Sequence, residues 1–153
     1  MSKAILIFAC IFSMCVKPPQ HVAVSDKSVE VFANTIKDES IKVLSIGGFY
    51  LHNLVEKLYL DLEYKGVLSD IAAEQRLLSY VKGLLTHINQ DESLRVFLVK
   101  EQFSVDDISV SLSFISEKKK SCQVHLYNNE VIFSTYNKET NQLSKDYSIP
   151  LKF

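Results

Sequence analysis

Tryptophan is absent from this 153-residue chain, and glycine, proline and cysteine are scarce at four, three and three. Each scarcity excludes something. Two of the cysteines, Cys10 and Cys15, fall in or beside an N-terminal apolar run, so Cys122 is left without a disulfide framework. Gly47-Gly48 is the one glycine pair, too few glycines for a phosphate-cradling loop and suited instead to a bulge or tight turn. Neither sign of charge dominates. Seventeen basic and eighteen acidic residues leave a net charge of -1, which gives no basic surface for nucleic acid. The four histidines, His21, His52, His87 and His125, contain no i, i+4 pair, so no helical zinc site is visible and neither metal nor cofactor is expected. Internal repeats and low-complexity tracts are also missing. At 47% hydrophobic and 23% charged residues the chain is not disordered by composition, and its length fits one domain.

What is present is alternation. In Ile108-Ser109-Val110-Ser111-Leu112-Ser113-Phe114-Ile115, apolar and hydroxyl side chains alternate from Ile108 to Phe114. A strand sends successive side chains to opposite faces, so Ile108, Val110, Leu112 and Phe114 share an apolar face and Ser109, Ser111 and Ser113 a polar one. Val55 to Tyr64 repeats the pattern, with Leu58, Leu60 and Leu62 against Tyr59, Asp61 and Glu63. The two strands are expected in one sheet. Its polar side would carry Tyr59, Asp61, Glu63, Ser109, Ser111 and Ser113 as a binding face, and its apolar side must be roofed.

The roof is written at Ser69 to Asn89. Ser69 is a favourable N-cap, Asp70 and Glu74 place negative charge near the positive end of the helix, and Leu77, Leu78, Val81, Leu84, Leu85 and Ile88 form an apolar stripe. A first helix is expected from about Asp26 to Asp38 on Val29, Phe32, Ala33 and Ile36, preceded by a linker over Gln20 to Ser25. A strand over Ile41–Phe49 is broken by the glycine pair, and a short helical segment follows Asp91. Strands over Cys122–Tyr127, Val131–Tyr136 and Gln142–Ser148 complete a meander, with turns at Lys118–Lys120, Asn128-Asn129 and Asn137–Asn141. The expected fold is thus α+β: an antiparallel sheet of five to six strands with two to three helices on one face, over residues 26–153.

Met1-Ser2-Lys3 and the run Ala4–Val16 have the layout of a secretory signal, a lysine followed by a short apolar stretch. Thirteen helical residues would rise only about 20 Å, short of a hydrocarbon core of about 30 Å. Residues 1–25 are therefore expected to be signal and linker in an exported chain. Two ways of ending the signal stay open: lipidation of Cys15, which would associate the protein with a membrane through its N-terminus, or cleavage after Ala23-Val24-Ser25. A cytosolic chain that uses Ala4–Val16 as a first strand is the competing reading.

Catalytic groupings are sparse. Cys122 and His125 are three apart on a strand, which sends them to opposite faces. Asp61 and Glu63 lie about 6.5 Å apart on one face, a spacing open to acid–base chemistry or a weak cation site. The order of elements, together with Asn89-Gln90-Asp91-Glu92-Ser93-Leu94-Arg95, the Ile-Ser-Val-Ser-Leu-Ser-Phe strand and Val131-Ile132-Phe133-Ser134-Thr135-Tyr136, resembles a family of small exported proteins and lipoproteins of obligate intracellular bacteria. That resemblance implies an envelope or secreted location and carries no catalytic residue with it. The function expected is a non-enzymatic module that meets a protein partner through a polar sheet face or an open edge. The alternative is a small hydrolase or metal-dependent enzyme using Asp61 and Glu63.

Overall fold

A computed structural model describes residues 17–116, 120–127, 130–136 and 143–150. The apolar run before Lys17, Cys15 within it, and the turns at Asn128-Asn129 and Asn137–Asn141 lie outside the described residues. The elements are α1 (Gln20–Ala33), β1 (Ile41–Leu51), β2 (Leu54–Leu68), α2 (Asp70–Gln90), α3 (Glu92–Arg95), β3 (Ile108–Ser116), β4 (Ser121–Tyr127), β5 (Glu130–Tyr136) and β6 (Leu143–Pro150). The six strands form one sheet in sequence order, β1-β2-β3-β4-β5-β6.

The α+β class holds, but the sheet is mixed. β2 and β3 run parallel, while every other neighbouring pair is antiparallel. The reason is α2. Twenty-one residues of helix carry the chain from the end of β2 back along the sheet, so β3 starts beside the beginning of β2 and follows its direction. Ser69 caps that helix by accepting from the N–H of Ala72 at 3.3 Å. Leu77, Val81, Leu84 and Ile88 point into the sheet and are buried.

The apolar rows of the two central strands meet under this roof. Leu58, Leu60 and Leu62 stand opposite Ile108, Val110 and Leu112, and all six are at most 1% exposed. α1 completes the roof over β1 and β2 through Val29 and Phe32, and a single hydrophobic cluster joins both helices to the sheet. Gly83 lets them touch, since a Cβ there would sit 2.9 Å from the Phe32 ring.

Two local expectations need correction. Gln20–Ser25 is not a linker but the first half of α1, because Ser25 is fully buried and bonded to the Val22 carbonyl at 3.0 Å and to the Tyr50 hydroxyl at 3.0 Å. Gly47-Gly48 does not break β1. Both glycines stay within the strand at ordinary φ, and the Tyr59 ring occupies the space a Cβ on Gly47 would need. The turn falls instead at His52-Asn53, whose φ values of 49° and 67° close a two-residue hairpin between Leu51 and Leu54.

Leu112→Ala should lower unfolding free energy by about 2–5 kcal/mol, as for other fully buried leucines. Urea denaturation checks this, and a loss under about 1 kcal/mol would mean the Leu112 row is not in the core.

Candidate functional site

The parallel register sets the polar face. Tyr59 stands beside Ser109, Asp61 beside Ser111 and Glu63 beside Ser113, so the six residues singled out from alternation form two adjacent columns. The face is less wet than alternation suggests. Tyr59, Asp61, Glu63, Ser109 and Ser113 are half-buried, while Ser111 is only 6% exposed. Ser134 and Ile132, further along the same face, are buried too.

Asp61 is the centre of this face. Its Oδ1 accepts from the Ser111 hydroxyl at 2.6 Å and its Oδ2 from the Ser45 hydroxyl at 2.6 Å. One carboxylate thus ties β1, β2 and β3 together through two short, charge-assisted hydrogen bonds. Ser45 was not foreseen, and the reason is a bulge. Val43 pairs with Leu62 and Ser45 with Asp61, so Leu44 is an extra residue that shifts the phase of β1. Without it, simple alternation would put Lys42 and Ser45 on opposite faces. The signal was present as the pattern Lys42-Val43-Leu44-Ser45-Ile46, in which two apolar residues stand together between two polar ones.

Glu63 faces the Lys42 ammonium at 3.9 Å, an exposed pair of small energetic weight. Tyr59 lies over Gly47 and beside Phe49, with ring centroids 6.2 Å apart. His125 occupies the position on β4 directly across from Ser111, so it enters the Asp61 row at one strand's remove from the serine. His52 sits at the hairpin tip, and His87 belongs to the helical layer, its ring 6.0 Å from that of Phe32. Cys122 and His125 face opposite sides, as three-residue spacing requires.

Other carboxylates are structural clips. Asp91 is partly desolvated, which raises its pKa, but bonds from Ser28, Ser93 and the Leu94 N–H outweigh burial and hold it below the ordinary 3.8. Asp107 behaves alike: burial is overcome by Lys100 at 2.6 Å and by the hydroxyl and N–H of Ser104. Among the described residues no three His, Cys, Asp or Glu side chains gather as metal ligands, and no helix is long and apolar enough to cross a membrane.

Comparison with protein-family models, with curated proteins and with solved structures finds no match to this chain.

Asp61→Asn keeps the shape but offers one good acceptor where the carboxylate offers two, so one serine hydroxyl loses its partner. The substitution should cost about 1–3 kcal/mol, and adding Ser45→Ala to it should cost less than the two single changes together. Denaturation of the four proteins of this cycle tests it, and strict additivity would show that Asp61 does not bridge the strands.

Proposed function

We propose that the chain is an exported, non-enzymatic interaction module that receives an extended segment of a partner protein on the outer edge of β1. The observation that carries this reading is the exposure of Val43, Leu44, Phe49 and Leu51, at 41%, 48%, 59% and 50%, along an eleven-residue outer strand. An outer strand presents backbone N–H and C=O groups to any extended chain, and long apolar edges are ordinarily blunted by charge, proline or brevity. β6, the opposite edge, is blunted: its sequence holds a charged pair at 145 and 146 and ends on Pro150. β1 has one charge, Lys42. A partner strand added there would find backbone pairing along the edge and apolar side chains for specificity.

The Asp61 and Glu63 alternative fits less well. A general base or nucleophile needs a free lone pair or proton directed at substrate. Both Asp61 oxygens are occupied, and the Ser111 proton points at Asp61 rather than at a histidine. Ser111 is also almost closed to solvent.

Export rests on the lysine and apolar run before Lys17 and on the resemblance to small exported proteins. The start of α1 supports processing upstream of Gln20. Cleavage after Ser25 would remove His21, whose ring meets Tyr50 edge-on at 5.3 Å, and Ser25, which bonds Tyr50. Processing upstream of Gln20, as at Cys15, leaves α1 whole.

Two measurements test these readings. Amide hydrogen exchange with a library of extended peptides of alternating Val and Thr should slow exchange in β1 and leave β6 unchanged, and Leu44→Lys should weaken binding by about tenfold or more, ~1.4 kcal/mol. Protection elsewhere, or binding indifferent to Leu44→Lys, would overturn the edge. Separately, the intact mass of the protein from its native host should place the N-terminus between residues 15 and 20. A chain starting at Asp26 would refute upstream processing, and an unprocessed chain would refute export.

A further inference from the structure

A second feature stands apart from both β1 and the Asp61 face. Where the parallel pair ends, at Leu68 of β2 and Ser116 of β3, a half-open cleft of about 460 Å³ lies between the first turn of α2 and the strands beyond. Its position follows from topology. The helices pack mainly on β1 to β4, so β5 and β6 supply the far wall of the cleft. Crevices outside the carboxyl ends of parallel strands are the usual ligand sites of sheets crossed by a helix, and this volume is in the range of small-molecule pockets.

The lining defines the ligand. Tyr147, 39% exposed, forms an aromatic wall backed by the buried Phe133 ring, with centroids 4.6 Å apart and planes within 15°. Ile71, 69% exposed, extends the apolar surface. Asp70, exposed in the first turn of α2, holds one side and accepts from the Tyr147 hydroxyl at 3.1 Å. Lys120, exposed at the entry to β4, brings a positive charge to the same cleft. Neither Asp70 nor Lys120 takes part in an ion pair among the described residues.

We infer that this cleft binds a small zwitterion with an apolar body, an amino acid or short peptide, with its ammonium at Asp70, its carboxylate at Lys120 and its side chain against Tyr147. The two lining charges cancel, so a ligand of one sign satisfies only one of them and is repelled by the other. A bare phosphate or other anion meets Asp70, and a simple amine meets Lys120. Only a ligand carrying both signs leaves no uncompensated charge, and the aromatic wall selects one with a ring or a long aliphatic group.

Cys122 provides the reporter, because its partly exposed thiol lines the same cleft. Three probes separate the contributions: L-phenylalanine, phenethylamine, which lacks the carboxylate, and 3-phenylpropanoate, which lacks the amine. Alkylation of Cys122, read by peptide mass spectrometry on the full chain, should be slowed saturably by L-phenylalanine. Each analogue should be weaker by about tenfold or more, ~1.4 kcal/mol. Asp70→Asn should reduce L-phenylalanine to the level of 3-phenylpropanoate, and Lys120→Gln should reduce it to the level of phenethylamine. Both side chains are exposed, and either variant alone decides the matter if the other misfolds. Equal protection by all three probes, protection unchanged in both variants, or no protection at millimolar L-phenylalanine would each overturn the assignment.

Discussion

The parallel pairing of β2 and β3 under α2 is the constraint on which the rest of the molecule depends. A parallel neighbour requires a crossover, and the crossover must bury its apolar stripe on the strands it joins. Leu77, Val81, Leu84 and Ile88 therefore share one fully dry layer with Leu58, Leu60, Leu62 and the Ile108–Leu112 row. Sliding β3 by one residue would turn its serines inward and its leucine outward, against every contact α2 makes. The register is thus fixed from the apolar side.

The polar side inherits that register. Because Leu60 and Leu62 must match Val110 and Leu112, Asp61 is brought level with Ser111. The bulge at Leu44 then carries Ser45 to the other oxygen of the same carboxylate. Asp61 is a brace across three strands, positioned by packing on the opposite face and closing the hairpin onto the parallel pair. The same logic explains Tyr59. Its ring covers Gly47, a position where any side chain would collide with it, so the glycine pair belongs to the sheet surface and not to a loop.

Much of this was legible in the sequence, because period two and period 3.6 report which side of an element is dry. Leu58 to Leu62, the serine strand and the helix after Ser69 all follow directly from such periods. What alternation cannot report is direction. Whether β3 runs with or against β2 depends on where a 21-residue helix returns the chain, a tertiary property absent from either strand. Nor does it survive a phase change, which is why Ser45 escaped notice and β1 was expected to break at its glycines. The linker over Gln20 to Ser25 failed for another reason. His21 and Ser25 are polar, yet both are buried because Tyr50 reaches them from β1. A polar residue satisfied from a distant strand reads locally as solvent-exposed. The cleft beside Asp70 was equally hidden, since it joins residues from five strands and a helix end.

The balance of open and closed hydrogen-bonding groups is what favours the proposed binding reading over the catalytic alternative. Catalytic side chains keep part of their valence open toward a substrate, at a cost in stability. The polar face does the reverse: Asp61 spends both oxygens on serines, and the Glu63 carboxylate lies against Lys42. The groups left open lie elsewhere, in the outward backbone of β1 and in Asp70 and Lys120, which form no ion pair among the described residues. Backbone groups recognise an extended chain by its peptide bonds, and an isolated pair of opposite charges recognises a dipolar ligand.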